Sequence, residues 1–252
     1  MSYFKILYGF HAITARLRRD VTTIEKIIYN KTRRDNRMQD FLHIANKSGV
    51  CLIGSDDNQL YRLSRTVRHQ GVVALVRDVL LAQNISELLD NIPDLALLLI
   101  LDGVTDPHNL GACLRIADAT GTHAVIAPRN RAVGLNSTAA KVASGAADTV
   151  PYITVTNLSR SIRELKDAGV WIIGTSYNAK MSLYELKFDR SVAIVMGSEG
   201  KGMRRLTHDK CDEIINIPML GSIENLNVSV ATGICLYEAV RQRIMKNSTD
   251  MI

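Results

Sequence analysis

The sequence lacks the features that would place it in a membrane, a secretory pathway or a zinc site. Its longest apolar run, from Leu95 to Leu101, is far shorter than the roughly 20 residues that a transmembrane helix needs. The first ten residues lack the long apolar block of a signal peptide. The four cysteines form no C-x-x-C pair and no Cys/His cluster with zinc-ligand spacing. We therefore expect a soluble, cytoplasmic protein with free thiols, no metal and no membrane association.

Aromatic residues are also scarce, at 5% of the chain, so base stacking of the kind used by single-strand binders has little support. The charge is more informative because it is unevenly distributed. Residues 1–77 contain 14 Lys/Arg against 6 Asp/Glu, a net charge of +8, whereas residues 78–252 contain 17 against 19, a net charge of −2. This asymmetry indicates either a polyanion-binding module attached to a near-neutral one or merely a well-solvated basic domain.

The first third of the sequence alternates helix and strand signals, which predicts a small α/β domain over residues 1–77. A helix is predicted over residues 9–18 and a second one after the N-cap Asp35, with Gly49 as its C-terminal stop. Strands are predicted where β-branched residues cluster, at 24–29, 50–53 and 72–76. Residues 78–93, which end at Pro93 after a weak helical pattern, are predicted as a linker.

A second α/β series fills residues 94–252. Its strand candidates share near-continuous apolar runs and lie at 95–101, 124–127, 150–155, 170–174, 192–196 and 214–217. Helical patterns separate several of them, at 110–120, 158–168 and 228–245. Apolar strands alternating with helices predict a mostly parallel sheet covered on both faces.

Unusual residues follow three of these strands, where ligands bind in such sheets. The first strand leads into D-G-V-T-D-P-H-N-L-G-A and then Arg115, the fifth into M-G-S-E-G-K-G, and the sixth into I-P-M-L-G-S-I-E-N-L-N. Each signal alone has an ordinary interpretation. The glycines suit a turn, Arg115 a solvated helix flank, Glu199 a surface carboxylate and Asn227 a helix N-cap.

Together, in this order and separation, the three motifs resemble those of the SpoU branch of the SPOUT RNA 2′-O-methyltransferases, over about residues 94–245. Residues 1–77, with Y-G-F-H-A near the start and H-Q-G-V-V-A near the end, resemble the substrate-binding extension of the 23S rRNA guanosine methyltransferases. That extension has a fold like ribosomal protein L30e. The resemblance implies a trefoil-knotted catalytic domain, a homodimer with active sites at the interface, S-adenosylmethionine as cofactor and 23S rRNA as substrate.

The resemblance also implies roles for individual residues. Asn109, Arg115, Glu199 and Asn227 correspond to the active site, with Arg115 either as the base or as a clamp for the substrate phosphate. The backbone of Gly197, Ile217 and Leu226, with Pro218 beside them, corresponds to the cofactor site.

One position departs from the family pattern, because Asn225 stands where relatives usually have an active-site serine. We expect Asn225 to position the substrate. The alternatives are a tRNA 2′-O-methyltransferase, which shares the C-terminal motifs, and a non-catalytic RNA-binding protein of ribosome assembly.

Overall fold

The computed structural model describes residues 4–77 and 81–249. The chain forms two compact units that divide between residues 80 and 81. The predicted linker, residues 78–93, lies partly outside the described residues. Its remainder includes a short helix, α4 (Ile85–Leu89), whose Ile85 and Leu88 are buried in the core of the second unit.

The first unit is a four-stranded sheet with three helices. Its elements in chain order are β1 (Phe4–Tyr8), α1 (Phe10–Arg19), β2 (Ile24–Asn30), α2 (Asn36–Lys47), β3 (Leu52–Ser55), α3 (Asp57–Ser64) and β4 (Val72–Arg77). The sheet order is β1-β4-β2-β3, in which β4 pairs antiparallel with both neighbours and β2 pairs parallel with β3. Asp35 caps α2 as predicted, since its carboxylate accepts a hydrogen bond from the Met38 amide at 3.1 Å.

Two elements of this unit were not predicted from the sequence. Strand β1 lies at the sheet edge and leaves Phe4 and Tyr8 exposed, so it lacks a clear buried face. Helix α3 is short and mostly polar, with Leu60 as its one buried residue. A start signal was nevertheless present, because Asp56 caps α3 by accepting a hydrogen bond from the Gln59 amide at 2.8 Å.

The second unit is a seven-stranded sheet covered by helices. After α4 its elements are β5 (Leu97–Asp102), α5 (Pro107–Ala119), β6 (Ala124–Pro128), α6 (Ser137–Ala143), β7 (Tyr152–Val155), α7 (Leu158–Asp167), β8 (Trp171–Thr175), β9 (Met181–Ser182), β10 (Val192–Gly197), α8 (Arg205–His208), β11 (Glu213–Asn216) and α9 (Val228–Thr249). The sheet order is β7-β6-β5-β10-β8-β11-β9, and all of these described strands pair in parallel. The prediction of an α/β fold with a mostly parallel sheet and a separate N-terminal domain is confirmed, whereas the trefoil knot stays a prediction.

Strand β5 shows why its apolar run is continuous. Leu97, Leu99 and Leu101 pack on one side of the sheet with residues of α5, α6 and α9, while Leu98 and Ile100 pack on the other with residues of α4 and α7. Successive side chains of a strand point to opposite faces, so a strand buried on both faces has no polar positions. At about 25 cal/mol for each Å² of apolar surface removed from water, this burial is the main force holding the layers together.

The pairing of β5 with β10 determines where the candidate site forms. Asp102, the last residue of β5, pairs with Gly197, the last residue of β10. Both strands run in the same direction, so the segments that follow them leave the sheet at the same edge.

In the part of the chain that the structure describes, no helix is long and apolar enough to cross a membrane.

Candidate active site

A tightly closed glycine loop, residues 198–202, follows β10. The amide of Ser198 donates to the Gly202 carbonyl at 3.0 Å, and the amide of Gly202 donates back to the Ser198 carbonyl at 2.9 Å. Gly197, at the base of this loop, has no room for a side chain, since a Cβ there would lie 2.2 Å from the carbonyl carbon of Gly202. Gly200 and Gly202 have φ angles of 78° and 65°, which favour glycine. The loop therefore requires glycines at its base and at its turn.

The C-terminal segment, residues 217–227, connects β11 to α9 and lies across from the glycine loop. Its last residue, Asn227, satisfies the start of α9, because its Oδ1 accepts hydrogen bonds from the Ser229 amide at 2.9 Å and the Ser229 hydroxyl at 2.6 Å. The N-cap role expected of Asn227 is thus present. The same side chain keeps its Nδ2 free for other acceptors.

A cleft of about 540 Å³ opens between the glycine loop, the C-terminal segment and the end of β8. We call it the larger cleft. Of the four residues predicted to hold a cofactor, Gly197, Ile217 and Leu226 line it, whereas Pro218 is exposed and does not. The end of β8, where Thr175, Ser176 and Tyr177 also line the cleft, was not predicted from the sequence. They follow the carboxyl end of a predicted strand, which was the available signal.

Three of the predicted active-site residues meet in one hydrogen-bonded network. Asn109 Nδ2 donates to Glu199 Oε1 at 2.6 Å, and Asn227 Nδ2 donates to the same oxygen at 2.9 Å and to Asn109 Oδ1 at 3.0 Å. The network fixes one carboxylate oxygen of Glu199. The other, Oε2, accepts no hydrogen bond from any described residue and remains available to a ligand.

A smaller cleft of about 130 Å³ lies on the other side of this network. Asn109 lines it together with Val104, Thr105 and Asp106 of the β5–α5 loop (residues 103–106). Ser198, Glu199 and Val228 line both clefts, so that Glu199 lies on their common wall. Two compartments that share a carboxylate are suited to hold two reactants on either side of it.

The start of α5 holds Asn109 in place. Asp106 caps the helix by accepting a hydrogen bond from the His108 amide at 2.8 Å, and Pro107 occupies the first turn, where no amide hydrogen is needed. Gly111 packs directly on α6, since a Cβ there would lie 2.6 Å from the Ala139 carbonyl oxygen. Asn109, two residues before this contact, is 8% exposed.

Arg115 and Asn225 stand apart from the network. Arg115 is exposed on α5, lines neither cleft, and forms no hydrogen bond or ion pair with any described residue. Asn225 lines the larger cleft with an exposed side chain that has no hydrogen-bond partner among the described residues. Both were predicted to belong to the active site, and within one chain Asn225 faces a cleft whereas Arg115 does not.

An ion pair that the sequence did not reveal ties the glycine loop to β5. The carboxylate of Asp102, which is 1% exposed, accepts a hydrogen bond from the Arg204 amide at 2.8 Å and lies 3.5 Å from its Nε. Arg204 follows the glycine loop, so this contact fixes the end of the loop against the start of the β5–α5 loop. In the sequence, Asp102 was the first residue of the motif that follows the predicted strand 95–101, and nothing there indicated a partner at Arg204.

Cys113 lies close to the network without taking part in it. Burial, with a smaller contribution from the Glu199 carboxylate, raises the pKa of its thiol to about 11. The thiol therefore stays protonated near neutral pH, and a thiolate nucleophile is not expected here.

The first unit has its own organised cationic surface. The guanidinium carbons of Arg33 and Arg37 lie 5.1 and 4.8 Å from the centre of the buried Phe10 ring. Arg33 also donates through Nη1 to the Gln70 carbonyl at 2.6 Å. Guanidinium groups held in place by an aromatic ring lose less entropy on binding an anion, which suits the contact of phosphate groups.

These observations define a parallel α/β enzyme with a glycine loop, two clefts that share one wall and a basic N-terminal unit. The sequence pattern described as the SpoU rRNA Methylase family matches residues 96–237, and that described as RNA 2'-O ribose methyltransferase substrate binding matches residues 6–79. The chain therefore belongs to the SpoU rRNA Methylase family, as the resemblance predicted.

Individual relatives agree with this assignment. The chain is similar to the 23S rRNA (guanosine-2'-O-)-methyltransferase RlmB of Ralstonia nicotianae, with 60% identity over 243 residues, 96% of this chain and 98% of the relative. The protein of the same name from Escherichia coli K12 is 49% identical over 245 residues, 95% of this chain and 99% of the relative.

Solved structures share the fold. The SpoU methyltransferase AviRb from Streptomyces viridochromogenes, in complex with the cofactor AdoMet, superposes with a TM-score of 0.63. It is 22% identical, and the match covers 96% of this chain and 91% of that one.

The contact at Gly197 generates a prediction about stability. Gly197→Ala should destabilise the protein by about 1–3 kcal/mol, because the new Cβ has to displace backbone atoms of residues 202 and 203. For a protein of this size that corresponds to a Tm lower by roughly 2–4 °C per kcal/mol, measured by circular dichroism. Gly221→Ala is the matched control, since nothing lies within 4 Å of a Cβ there. Equal Tm values for both variants would contradict the close approach.

Proposed function

We propose that this protein transfers a methyl group from S-adenosylmethionine to the ribose 2′-oxygen of a guanosine in 23S rRNA. The observation that carries the proposal is the Asn109–Glu199–Asn227 network, which lies between two clefts in a member of the SpoU rRNA Methylase family. Support comes from relatives named for that reaction, which are 48–60% identical over nearly the whole chain.

The larger cleft suits the cofactor. Its volume of about 540 Å³ is in the range of small-molecule sites, typically about 300–1,000 Å³. Gly197 lines this cleft, and the backbone of residues 202 and 203 fills the place that its side chain would take. Gly197, Ile217 and Leu226 would hold the cofactor through their backbone groups, with Pro218 restricting the chain next to Ile217. When bound, S-adenosylmethionine supplies an electrophilic methyl group on a sulfonium.

The smaller cleft suits the ribose that is methylated. A hydroxyl bound there lies next to Glu199, whose Oε2 is free to accept its hydrogen bond, while Asn109 and Asn227 keep the carboxylate in a fixed orientation. These residues would contribute to the rate mainly by holding that oxygen in a fixed place beside a bound cofactor. The oxygen must lose its proton as it gains the methyl group, and because a 2′-hydroxyl is only weakly acidic, the proton would pass to the substrate phosphate or to water.

Arg115 would act once RNA is bound. Its guanidinium stays protonated in nearly all settings, which makes it better suited to clamp a phosphate than to remove a proton. We propose the phosphate-binding role and keep the role of base as its alternative. Because Arg115 lines neither cleft in a single chain, either role needs the RNA or a second chain to bring it to the reaction.

The first unit would recruit the RNA. Residues 1–77 carry a net charge of +8, and Arg33 and Arg37 lie preorganised against Phe10. Neutralising phosphates with such residues releases counterions and supplies affinity independent of sequence. We further propose an L30e-like fold for this unit, a cytoplasmic location, where rRNA is processed, and the trefoil knot in the second unit.

A second copy of the chain would cover an exposed apolar stripe on α9. Val230, Tyr237 and Ile244 recur every seven residues and are 51%, 53% and 61% exposed. Such spacing places them on one face of the helix, with the half-buried Ile234 between them. We propose that this face forms the homodimer interface, which agrees with the dimer implied by the family resemblance.

The homodimer proposal predicts a dimer in sedimentation velocity at micromolar concentration. Tyr237→Asp should shift the protein toward monomer, because it places a charge in the apolar stripe. Tyr61→Asp is the control, as Tyr61 is similarly exposed, at 51%, but belongs to the first unit. A wild-type protein that sediments as an active monomer would overturn the proposal.

Methyl transfer tests the reaction and Arg115 together. The wild-type protein should move labelled methyl groups from S-adenosylmethionine to 23S rRNA from a strain that lacks this enzyme, and not to tRNA. Arg115→Ala should lose more than about tenfold in turnover, or about 1.4 kcal/mol, while cofactor affinity by calorimetry stays unchanged. The control is Arg163→Ala, which alters an exposed arginine on α7. Turnover above a tenth of wild type would show that Arg115 is not central, and methylation of tRNA alone would favour the tRNA enzyme.

Asn225 provides a test of whether the departure from the family pattern matters. Asn225→Ser should keep activity within about tenfold of wild type, whereas Asn225→Ala should lose one hydrogen bond to substrate, about 0.5–1.5 kcal/mol. The measurement is turnover on 23S rRNA for the three proteins side by side. An inactive natural protein that gains activity through Asn225→Ser would instead favour the non-catalytic interpretation.

A further inference from the structure

A loop that follows β6 is tied down at several points although it has no regular structure. We call residues 129–136 the arginine loop. The Arg129 amide donates to the Val155 carbonyl at 2.7 Å, and the Val133 amide donates to the Val104 carbonyl at 2.9 Å. The Tyr152 hydroxyl donates to the Val133 carbonyl at 2.8 Å, and burial raises the pKa of Tyr152 to about 12, so this donor keeps its proton.

The arginine loop lies beside the proposed ribose site. Val104, which bonds to it, lines the smaller cleft with Thr105 and Asp106. The Arg131 carbonyl oxygen is 3.6 Å from the position that a Cβ of Gly103 would take. Arg204, which follows the glycine loop, donates through Nη2 to the Asn130 carbonyl at 3.3 Å. The loop therefore contacts the β5–α5 loop, which lines the smaller cleft, and Arg204, which lies just after the glycine loop.

Two side chains of the loop are left without protein partners. Arg129 and Arg131 are exposed, and neither guanidinium forms a hydrogen bond or an ion pair with any other residue in the ranges 4–77 and 81–249. Arg131 also has a φ of 59°, a left-handed conformation that is uncommon for residues other than glycine. Backbone strain of this kind often accompanies a functional position.

We infer that Arg129 and Arg131 form a phosphate-binding site for the RNA substrate on the second unit, next to the smaller cleft. Exposed guanidinium groups on a fixed backbone can bind phosphate oxygens in bidentate fashion. Residues 78–252 have a net charge of −2, so this pair is a local cationic site on a near-neutral unit and not part of a general attraction. The inference rests on the proposed RNA methyltransferase function and adds a contact that places the strand at the site, beyond recruitment by the first unit.

The test removes both charges in the full-length protein. Arg129→Gln/Arg131→Asn is neutral, and asparagine tolerates the left-handed conformation at position 131. Arg160→Gln/Arg163→Gln removes the same charge from α7, which packs on the opposite face of the sheet. Arg129→Lys/Arg131→Lys keeps the charge and serves as the conservative variant. Each protein is assayed for binding to 23S rRNA from the enzyme-deficient strain across a series of salt concentrations, and for KM and kcat on that RNA.

The loop double variant should raise KM for RNA by about tenfold and lower the slope of log affinity against log salt by roughly 1–2, one for each phosphate that the loop no longer neutralises. Its cofactor affinity should equal that of wild type. The lysine variant should recover most of the salt slope, and the α7 variant should resemble wild type. Equal changes in the loop and α7 variants, or a loop variant with wild-type slope and KM, would overturn the inference. If the wild-type protein binds 23S rRNA but does not methylate it, the proposed function fails while the salt slopes still decide this site.

Discussion

Because β5 and β10 pair in parallel with Asp102 opposite Gly197, two loops leave the sheet at the same point. The β5–α5 loop leads to Asn109, and the glycine loop carries Glu199. The contact between the buried Asp102 carboxylate and the half-exposed Arg204 fastens the end of the glycine loop to the start of the β5–α5 loop. The carboxylate accepts the hydrogen bond of the Arg204 amide, so the backbone of one loop is tied to the last residue of the strand that precedes the other.

The absence of a side chain at Gly197 allows residues 202 and 203 to fold back against the strand. The loop then presents Glu199 toward two amide groups that come from distant parts of the chain. Both amides donate to the same carboxylate oxygen, which leaves the other oxygen directed to a ligand. Charge-assisted hydrogen bonds of this kind are roughly twice as strong as neutral ones, so the carboxylate is held firmly although it lies at the surface.

Much of this arrangement could be predicted from the sequence. The apolar runs identified six of the seven described strands of the second unit, and the family resemblance of the segments after three of them grouped Asn109, Glu199 and Asn227. The order of the strands in the sheet was harder to predict, since no local sequence signal shows that β5 lies next to β10. The Asp102–Arg204 pair and the arginine loop therefore remained hidden, because each depends on that neighbourhood. The role of Arg115 stays a prediction, because the crevice that it was expected to share with Asn109 is not formed by a single chain.

The network also has a consequence for how the molecule comes into being. Asn109 is 90 residues from Glu199 and 118 residues from Asn227. The network therefore joins segments that lie far apart in the sequence. Contacts between distant segments form slowly, because the entropy of closing the chain is spent before they contribute any stabilisation. Asn227 and α9 are synthesised after Asn109, after Glu199 and after all the described strands of the sheet. A nascent chain that ends before residue 227 therefore lacks two of the three hydrogen bonds of the network.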